Sequence, residues 1–327
     1  MVPVFFENQI RLAAETLDAV SEMEEAFSVY SRGRAVVPPV GEMIFDNPPG
    51  DVHIKYGYIR DDDIFVIKIA SGFYENSARG LPSGSGMMLV FDQKTGFPLA
   101  VLLDNGFLTD VRTAAAGAAA ARFLAPAGVQ CIGVAGAGTQ ARMQVEYLKQ
   151  VIDCRRVRVW GLNEEELRSY RSDMEEKGFE VETTRNLESL AECRLIVTAT
   201  PSKEPLLQAG WIQPGTHITA MGSDTAEKQE LDPHILLKAD RVVADSLDQC
   251  QSRGEVFQAL RQGLVDLNDV LELGAVIQNP GLGRQDPNEI TVADLTGVAV
   301  QDIQIAGAVW RRLETKSRSM TGGSQGG

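Results

Sequence analysis

Four stretches of the chain hold residues whose types could carry chemistry. In CIGVAGAGTQAR, residues 131–142, Gly136-Ala137-Gly138-Thr139-Gln140-Ala141 fits the G-x-G-x-x-G/A pattern, after a buried strand and at the opening of a helix. In that frame Gly136 makes the tight turn, Gly138 lets the backbone approach a pyrophosphate, and Ala141 lets helix and strand pack closely. The free amides of the helix N-terminus then bind the anion. The competing reading, a glycine-rich bend without a ligand, is weakened by the β-α-β context.

The other three stretches hold ionisable groups. Arg112, in LTDVRTAAAG, sits in the first turns of an alanine-rich helix, where a guanidinium can fork onto a carboxylate. It could equally form a surface ion pair with Asp110 or Asp104. Lys68 interrupts the apolar stretch FVIKIASG; a buried lysine needs a partner or a lowered pKa, and a lowered pKa suits proton transfer to or from an amine or imine. Its alternative is a lysine snorkelling to the surface. Asp224, in HITAMGSDTAEKQEL, follows an apolar strand and a glycine bend, where the carboxyl end of a strand meets a ligand crevice; with Glu227 three residues on, it could instead cap a following helix.

The end of the second strand of the β-α-β unit bears on which dinucleotide fits. An acid there binds a ribose diol and an arginine suits a phosphate; Gly161-Leu162-Asn163 offers neither. Asn163 can still bond a hydroxyl, so NAD is expected, with Arg142 and Arg168 keeping NADP open.

These residues need elements to position them. Residues 8–33 read as one helix, with Ile10, Leu12, Leu17, Val20, Met23 and Phe27 at roughly helical spacing. Turn-rich VVPPVGEM and DNPPGDVH follow, then strands DVHIKYGYI, DIFVIKIAS, GMMLVFDQKTG and FPLAVLLDNG, an α+β unit with a mostly antiparallel sheet. LTDVRTAAAGAAAARFLAP reads as a long helix with Asp110 near its positive end. From 129 strands and helices alternate, with helices expected at 163–178 and 186–193, as in a Rossmann-type, doubly wound parallel sheet. The fold class expected is therefore α/β, an α+β unit followed, past the LAPAG boundary, by a Rossmann-type doubly wound parallel sheet. The glycine-rich end, SMTGGSQGG, is expected to be disordered.

Composition excludes some classes. A net charge of −14 repels a phosphate backbone, so no nucleic-acid partner is expected. No apolar run is long enough to cross a bilayer and the first residues do not read as a signal peptide, so the expected compartment is cytoplasmic. Four dispersed cysteines and three histidines offer no metal-ligand spacing, and no metal is expected.

GFLTDVRTAAAGAAAARFLAP, GVAGAGTQAR and GTHITAMGSDTAEKQELD, with Lys68 upstream and DLTGVAVQD downstream, resemble the ornithine cyclodeaminase/mu-crystallin family over most of residues 1–312. The resemblance implies a homodimer in which residues 1–124 and 304–327 form the substrate-binding and dimerisation domain and 125–303 the dinucleotide-binding Rossmann domain, and hydride transfer at the α-carbon of an amino acid. Carried over by position, Lys68 touches the substrate carboxylate and can assist proton transfer, Arg112 clamps that carboxylate, and Asp224 is the general acid/base near the amine or imine. Ser83, Thr113 and Lys228 fall where the family contacts the cofactor, with Thr296 and Gly297 near the nicotinamide pocket.

Two positions depart from the family pattern. Glu42 stands after the PP segment where the resemblance implies an arginine, and Lys55 stands where ornithine-using members place an acid for the distal amine. Two desolvated ammonium groups there would repel by several kcal/mol, so ornithine cyclisation is disfavoured and an acidic distal group becomes attractive if Lys55 enters the pocket. Glu42 could pair with Lys55 or receive a cationic part of another substrate; both residues could also be solvent-exposed. The reading is an NAD(P)-dependent oxidoreductase acting on the C–N bond of an amino acid and interconverting it with its imine, that is, an amino-acid dehydrogenase or imine reductase with an amino acid or imine as its partner. The alternatives are a cyclodeaminase that recycles bound NAD and a non-catalytic dinucleotide-binding protein.

Overall fold

The computed structural model describes residues 1–322, leaving aside the side chains of Tyr74, Ser77 and 316–322. The chain divides into two compact units, Met1–Arg112 with Val298 onward, and Thr113–Gly297.

The first unit opens with β1 (Val4–Phe6), α1 (Glu7–Ala14) and α2 (Ala19–Ser31). The single helix expected over 8–33 is broken because Asp18 caps a new one: its Oδ1 accepts from the Ser21 amide at 3.1 Å and its Oδ2 from the Ser21 hydroxyl at 2.7 Å. Then come β2 (Ala35–Val36), β3 (Gly41–Asp46), β4 (Pro49–Ile59), β5 (Ile64–Gly72), β6 (Gly84–Asp92) and β7 (Pro98–Leu103). They form a sheet ordered β1-β7-β6-β5-β4-β2, with β3 also on β4; only the β1 pairing is parallel. In the meander β4-β5-β6 the register sets Lys55 opposite Lys68, and Lys68 opposite Met88.

Helix α3 (Phe107–Leu124) carries the division between the units at Arg112, earlier than the boundary expected at 124. Its later turns are tied into the second unit. The Gln144 side-chain amide donates to the Thr113 carbonyl at 3.0 Å, and Arg284 Nε to the Leu124 carbonyl at 2.7 Å. Gly117 leaves room for the Gln144 side chain at this approach, since a Cβ there would lie 1.9 Å from Gln144 Oε1.

The second unit alternates as expected: β8 (Ile132–Ala135), α4 (Thr139–Leu148), β9 (Arg156–Trp160), α5 (Glu164–Glu176), β10 (Glu180–Thr184), β11 (Leu195–Thr198), β12 (His217–Ala220), α6 (His234–Lys238), β13 (Arg241–Ala244), α7 (Gly254–Arg261), β14 (Val270–Glu272), α8 (Leu273–Gln278) and β15 (Thr291–Asp294). Residues 187–192 form a 3-10 turn where an α-helix was expected. The sheet is parallel throughout, ordered β10-β9-β8-β11-β12-β15-β13-β14. The order reverses at β8, flanked by β9 and β11, so the crevice for a ligand opens at its carboxyl end.

Helix α9 (Ala299–Gly322) returns to the first unit and packs on α2, β4 and β5, with Ile303, Ala306 and Val309 buried. It continues into the segment for which composition predicts disorder, and residues 323–327 lie outside those described. Among the described residues no helix is long and apolar enough to cross a membrane.

A buried acidic chain runs through the second unit. Glu230 accepts from Thr198 Oγ1 at 2.7 Å, the Thr200 amide at 2.7 Å and the Gly222 amide at 2.8 Å, which fixes the ends of β11 and β12. Glu255 in turn accepts from the Glu230 amide at 2.7 Å, and Asp294 from the Val256 amide at 2.8 Å. Burial pushes the Asp294 carboxyl up to about 7, and burial with the neighbouring Asp294 and Glu230 charges pushes Glu255 well above the carboxylate range. The folded state therefore binds a proton on Asp294 that the unfolded chain releases near pH 4, so this contribution is full below about pH 4 and is lost as the pH rises to about 7. Asp294→Asn is expected to remove about 2–3 kcal/mol of the stability loss between pH 5 and 8; urea melts of both proteins at the two pH values check this, and parallel pH dependences would contradict it.

Candidate active site

The first unit gathers its expected cations around an acid that the sequence reading did not single out. Lys68 on β5 is buried, which excludes the snorkelling alternative, and its Nζ lies 3.1 Å from Asp302 Oδ2. Arg112, also buried, places Nε 3.1 Å from Asp302 Oδ1 and donates from Nη1 to Gln301 Oε1 at 3.3 Å. Arg112 therefore pairs with Asp302 and not in a surface ion pair with Asp104 or Asp110. Burial pushes the Lys68 ammonium down to about 7, helped by the Arg112 and Lys55 charges and opposed by Asp302. Burial alone would raise the Asp302 carboxyl, but Lys68, Arg112 and Lys55 outweigh it and hold the group below its usual range.

Lys55 is 7% exposed, so it stands inside this cluster and not in solvent. Glu42 is different: it lies on the exposed strand β3, opposite His53, with Oε1 3.6 Å from His53 Nδ1. Asp104 is buried at the entry to α3; its Oδ2 accepts from the Leu108 amide at 2.7 Å, while Oδ1 has no hydrogen-bond partner among the described residues. Burial raises its carboxyl to about 6, against the pull of the backbone amides and of Lys68. Ser83 is exposed, and its carbonyl accepts from the Phe73 amide at 2.7 Å.

The second unit holds the expected dinucleotide turn. Gly136 adopts φ +115°, and a Cβ there would meet the Ala199 carbonyl at 2.6 Å, so only glycine fits. Gly138 opens to empty space and is the N-cap of α4 without any side-chain cap, so the N-terminus of a ten-residue helix carries no cap of its own where an anion would dock. Ala137 and Ala141 are buried beneath the turn. This geometry fits a pyrophosphate.

Arg142 has a different use from the one its position suggested. Its Nε donates to Asp173 at 2.8 Å, and Nη1 donates to the Ala137 carbonyl and, at 3.2 Å, to the Gly138 carbonyl. It clips the turn from behind. Asn163 caps α5, its Oδ1 accepting from the Glu165 amide at 2.8 Å, which leaves its amide nitrogen at the strand end. Thr296 and Gly297 are fixed by Asp245, which accepts from Thr296 Oγ1 at 3.0 Å and from the Gly297 amide at 2.6 Å. The Thr113 carbonyl is bound to Gln144, as described above.

Asp224 lies in the loop fixed by Glu230, with Oδ1 2.7 Å from Lys228 Nζ and its carbonyl accepting from Arg253 Nη1 at 3.2 Å. No helix follows it before α6, so the capping alternative fails. Its side chain is 43% exposed, accessible to a ligand. Among the described residues no group of three histidine, cysteine or acidic side chains could hold a metal.

Sequence reasoning missed Asp302 and Glu230, and read Asp104 only as a possible surface partner of Arg112. A signal existed for the first: two buried cations demand a buried anion, and Asp302 interrupts the apolar run AVQDIQIAGAVW.

Known proteins share this architecture. An uncharacterized cyclodeaminase of Sinorhizobium fredii is 40% identical over 305 residues, covering 92% of each chain. The solved structure of an archaeal alanine dehydrogenase dimer with bound NAD is 33% identical, covers 97% of each chain and superposes with a TM-score of 0.88. That of the Thermococcus litoralis Delta(1)-pyrroline-2-carboxylate reductase, in complex with NADH and L-proline, is 27% identical with a TM-score of 0.89, covering 97% of this chain and 98% of that one. A sequence profile described as the ornithine cyclodeaminase/mu-crystallin family matches residues 4–317. With that span and these full-length relatives, the chain belongs to the ornithine cyclodeaminase/mu-crystallin family.

Proposed function

We propose that the protein is an NAD(P)-dependent oxidoreductase that interconverts an amino acid with its imine at the C–N bond, and that NAD is its dinucleotide. The observation that carries this reading is the pair of buried cations, Lys68 and Arg112, anchored on one carboxylate in a chain that also holds a dinucleotide turn. Two rigid cations at that spacing suit the α-carboxylate of an amino acid. The relatives named alanine dehydrogenase and pyrroline-2-carboxylate reductase support the reaction class, and their bound NAD and NADH support the cofactor. The engagement of Arg142 with Asp173 and the turn carbonyls also favours NAD, because it leaves that guanidinium committed elsewhere than to a 2′-phosphate.

The nicotinamide would exchange a hydride with the substrate α-carbon. In this reading Arg112 and Lys68 orient the carboxylate. Asp224, whose charge Lys228 balances, holds and returns the proton at the substrate nitrogen. Gly136–Ala141 and the amides of Thr139 and Gln140 hold the pyrophosphate, and Asn163 the adenosine ribose; Ser83, Thr113, Lys228, Thr296 and Gly297 complete the cofactor contacts. Lys55 favours a substrate whose distal group is not cationic, and Glu42, on an exposed strand, is assigned no contact. The dimer of the archaeal relative supports a homodimer here.

The Sinorhizobium relative's name favours a second reading, cyclodeamination. Buried Lys55 speaks against it for ornithine, since the site would have to desolvate a second ammonium beside the first. The two readings separate in one experiment: reduced-cofactor absorbance with NADH or NADPH against preformed cyclic imines and against 2-oxo acids with ammonia or methylamine, beside ammonia release from ornithine. Consumption of NADH with an imine is expected; ammonia release from ornithine without net cofactor change would establish the cyclodeaminase.

Asp224→Asn is expected to keep dinucleotide affinity within a factor of two or so and to lower turnover about 100-fold or more. Fluorescence titration with NADH and steady-state kinetics measure both; unchanged turnover would remove Asp224 from the chemistry.

A further inference from the structure

We propose that Asp302 is a positioning residue for this reaction: its single carboxylate locks Lys68 and Arg112 into one clamp for the substrate carboxylate. The inference rests on the reading that these two cations bind substrate.

Geometry carries the argument. Each oxygen of Asp302 faces a different cation at 3.1 Å, one from β5 and one from α3, and Asp302 itself stands on α9. One side chain thus ties three elements of the first unit through the two cations that would hold a ligand carboxylate. Its 1% exposure, with Lys68 at 2% and Arg112 at 6%, leaves almost no water to screen the group or to replace a lost partner.

The two cations would respond differently to loss of that anion. Arg112 cannot give up its proton in a protein, whereas a lysine in a dry site does so readily. The charged groups facing Lys68 are Asp302 from α9, Arg112 from α3, Lys55 from β4 and Asp104 from the segment before α3; β6 presents Met88. Arg112 and Lys55 both drive the proton off, so Asp302 is the close anion that retains it. Without Asp302 the clamp becomes a single guanidinium beside a neutral amine. Asp302 touches neither substrate nor cofactor in this account and acts through the two cations.

Asp302→Asn removes the charge and keeps the shape. The pH profile of kcat/KM for imine reduction between pH 6 and 9 is expected to show its alkaline limb displaced by at least one unit toward acid, with KM rising more than kcat falls. A purely structural role would lower the melting temperature and leave the limb in place, and that result would overturn the proposal. Asp302→Glu, which keeps the charge, is expected to raise KM while leaving the limb where it is; a limb that moves as far as in the Asn variant would equally overturn it, and this variant carries the test if the Asn protein does not fold.

Calorimetric titration with pyruvate, a simple carboxylate, reads the clamp without turnover. Binding to Asp302→Asn is expected to be at least tenfold weaker than binding to the wild-type protein at pH 6, and to change less between pH 6 and 8 than the wild type's, whose Lys68 loses its proton in that window. If the wild-type protein reduces no imine, the oxidoreductase reading fails while the pyruvate titration still decides the clamp. A wild-type protein that turns imines over and binds pyruvate at neither pH overturns the clamp alone.

Discussion

A carboxylate held dry between two cations is the constraint on which the first unit is organised. Burying Lys68 and Arg112 would be prohibitive for either alone, and Asp302 makes it possible by neutralising part of each. The position of α9 on the sheet follows, because its apolar face through Ile303, Ala306 and Val309 and its acid at 302 must be satisfied together. Packing supplies the bulk of the stabilisation and the ion pairs fix the register at which it occurs.

The second unit uses buried carboxylates for another purpose. Glu230 gathers amides and hydroxyls from the ends of two adjacent strands, Glu255 braces Glu230, and Asp245 braces the Thr296-Gly297 corner. At the carboxyl edge of a parallel sheet the backbone has left its ladder, and these acids satisfy amides that would otherwise face apolar surroundings. Arg142 does the complementary work for carbonyls, clipping Ala137 and Gly138. The loops that would meet a ligand are thereby fixed by side chains behind them.

The dinucleotide turn was legible because its determinants are local: a strand, glycines at set offsets and a helix within a dozen residues. The antiparallel meander and the alternation from β8 onward were legible for the same reason. The break at Asp18 was hidden by apolar spacing that continues across it, and the short strands β14 and β15 by their length. That β15 inserts between β12 and β13 is a tertiary fact with no local trace. Asp302 and Glu230 escaped because their partners are remote in sequence, Lys68 for one and Thr198 for the other. Arg142 was read as a cofactor candidate when its position on α4 aims it back at the turn, a direction that spacing alone does not give.

The buried cations sit in a chain whose formal net charge is −14. An anionic molecule approaching from solution therefore meets a repulsive far field, and attraction begins only within the last few ångströms of Lys55, Lys68 and Arg112. Salt screens the first of these over a Debye length of about 8 Å at physiological strength and hardly touches the second, which has little water around it. Encounter with an anionic small molecule should then quicken as ionic strength rises, the reverse of ordinary electrostatic steering, and the protein's surface and its interior contribute to capture with opposite signs.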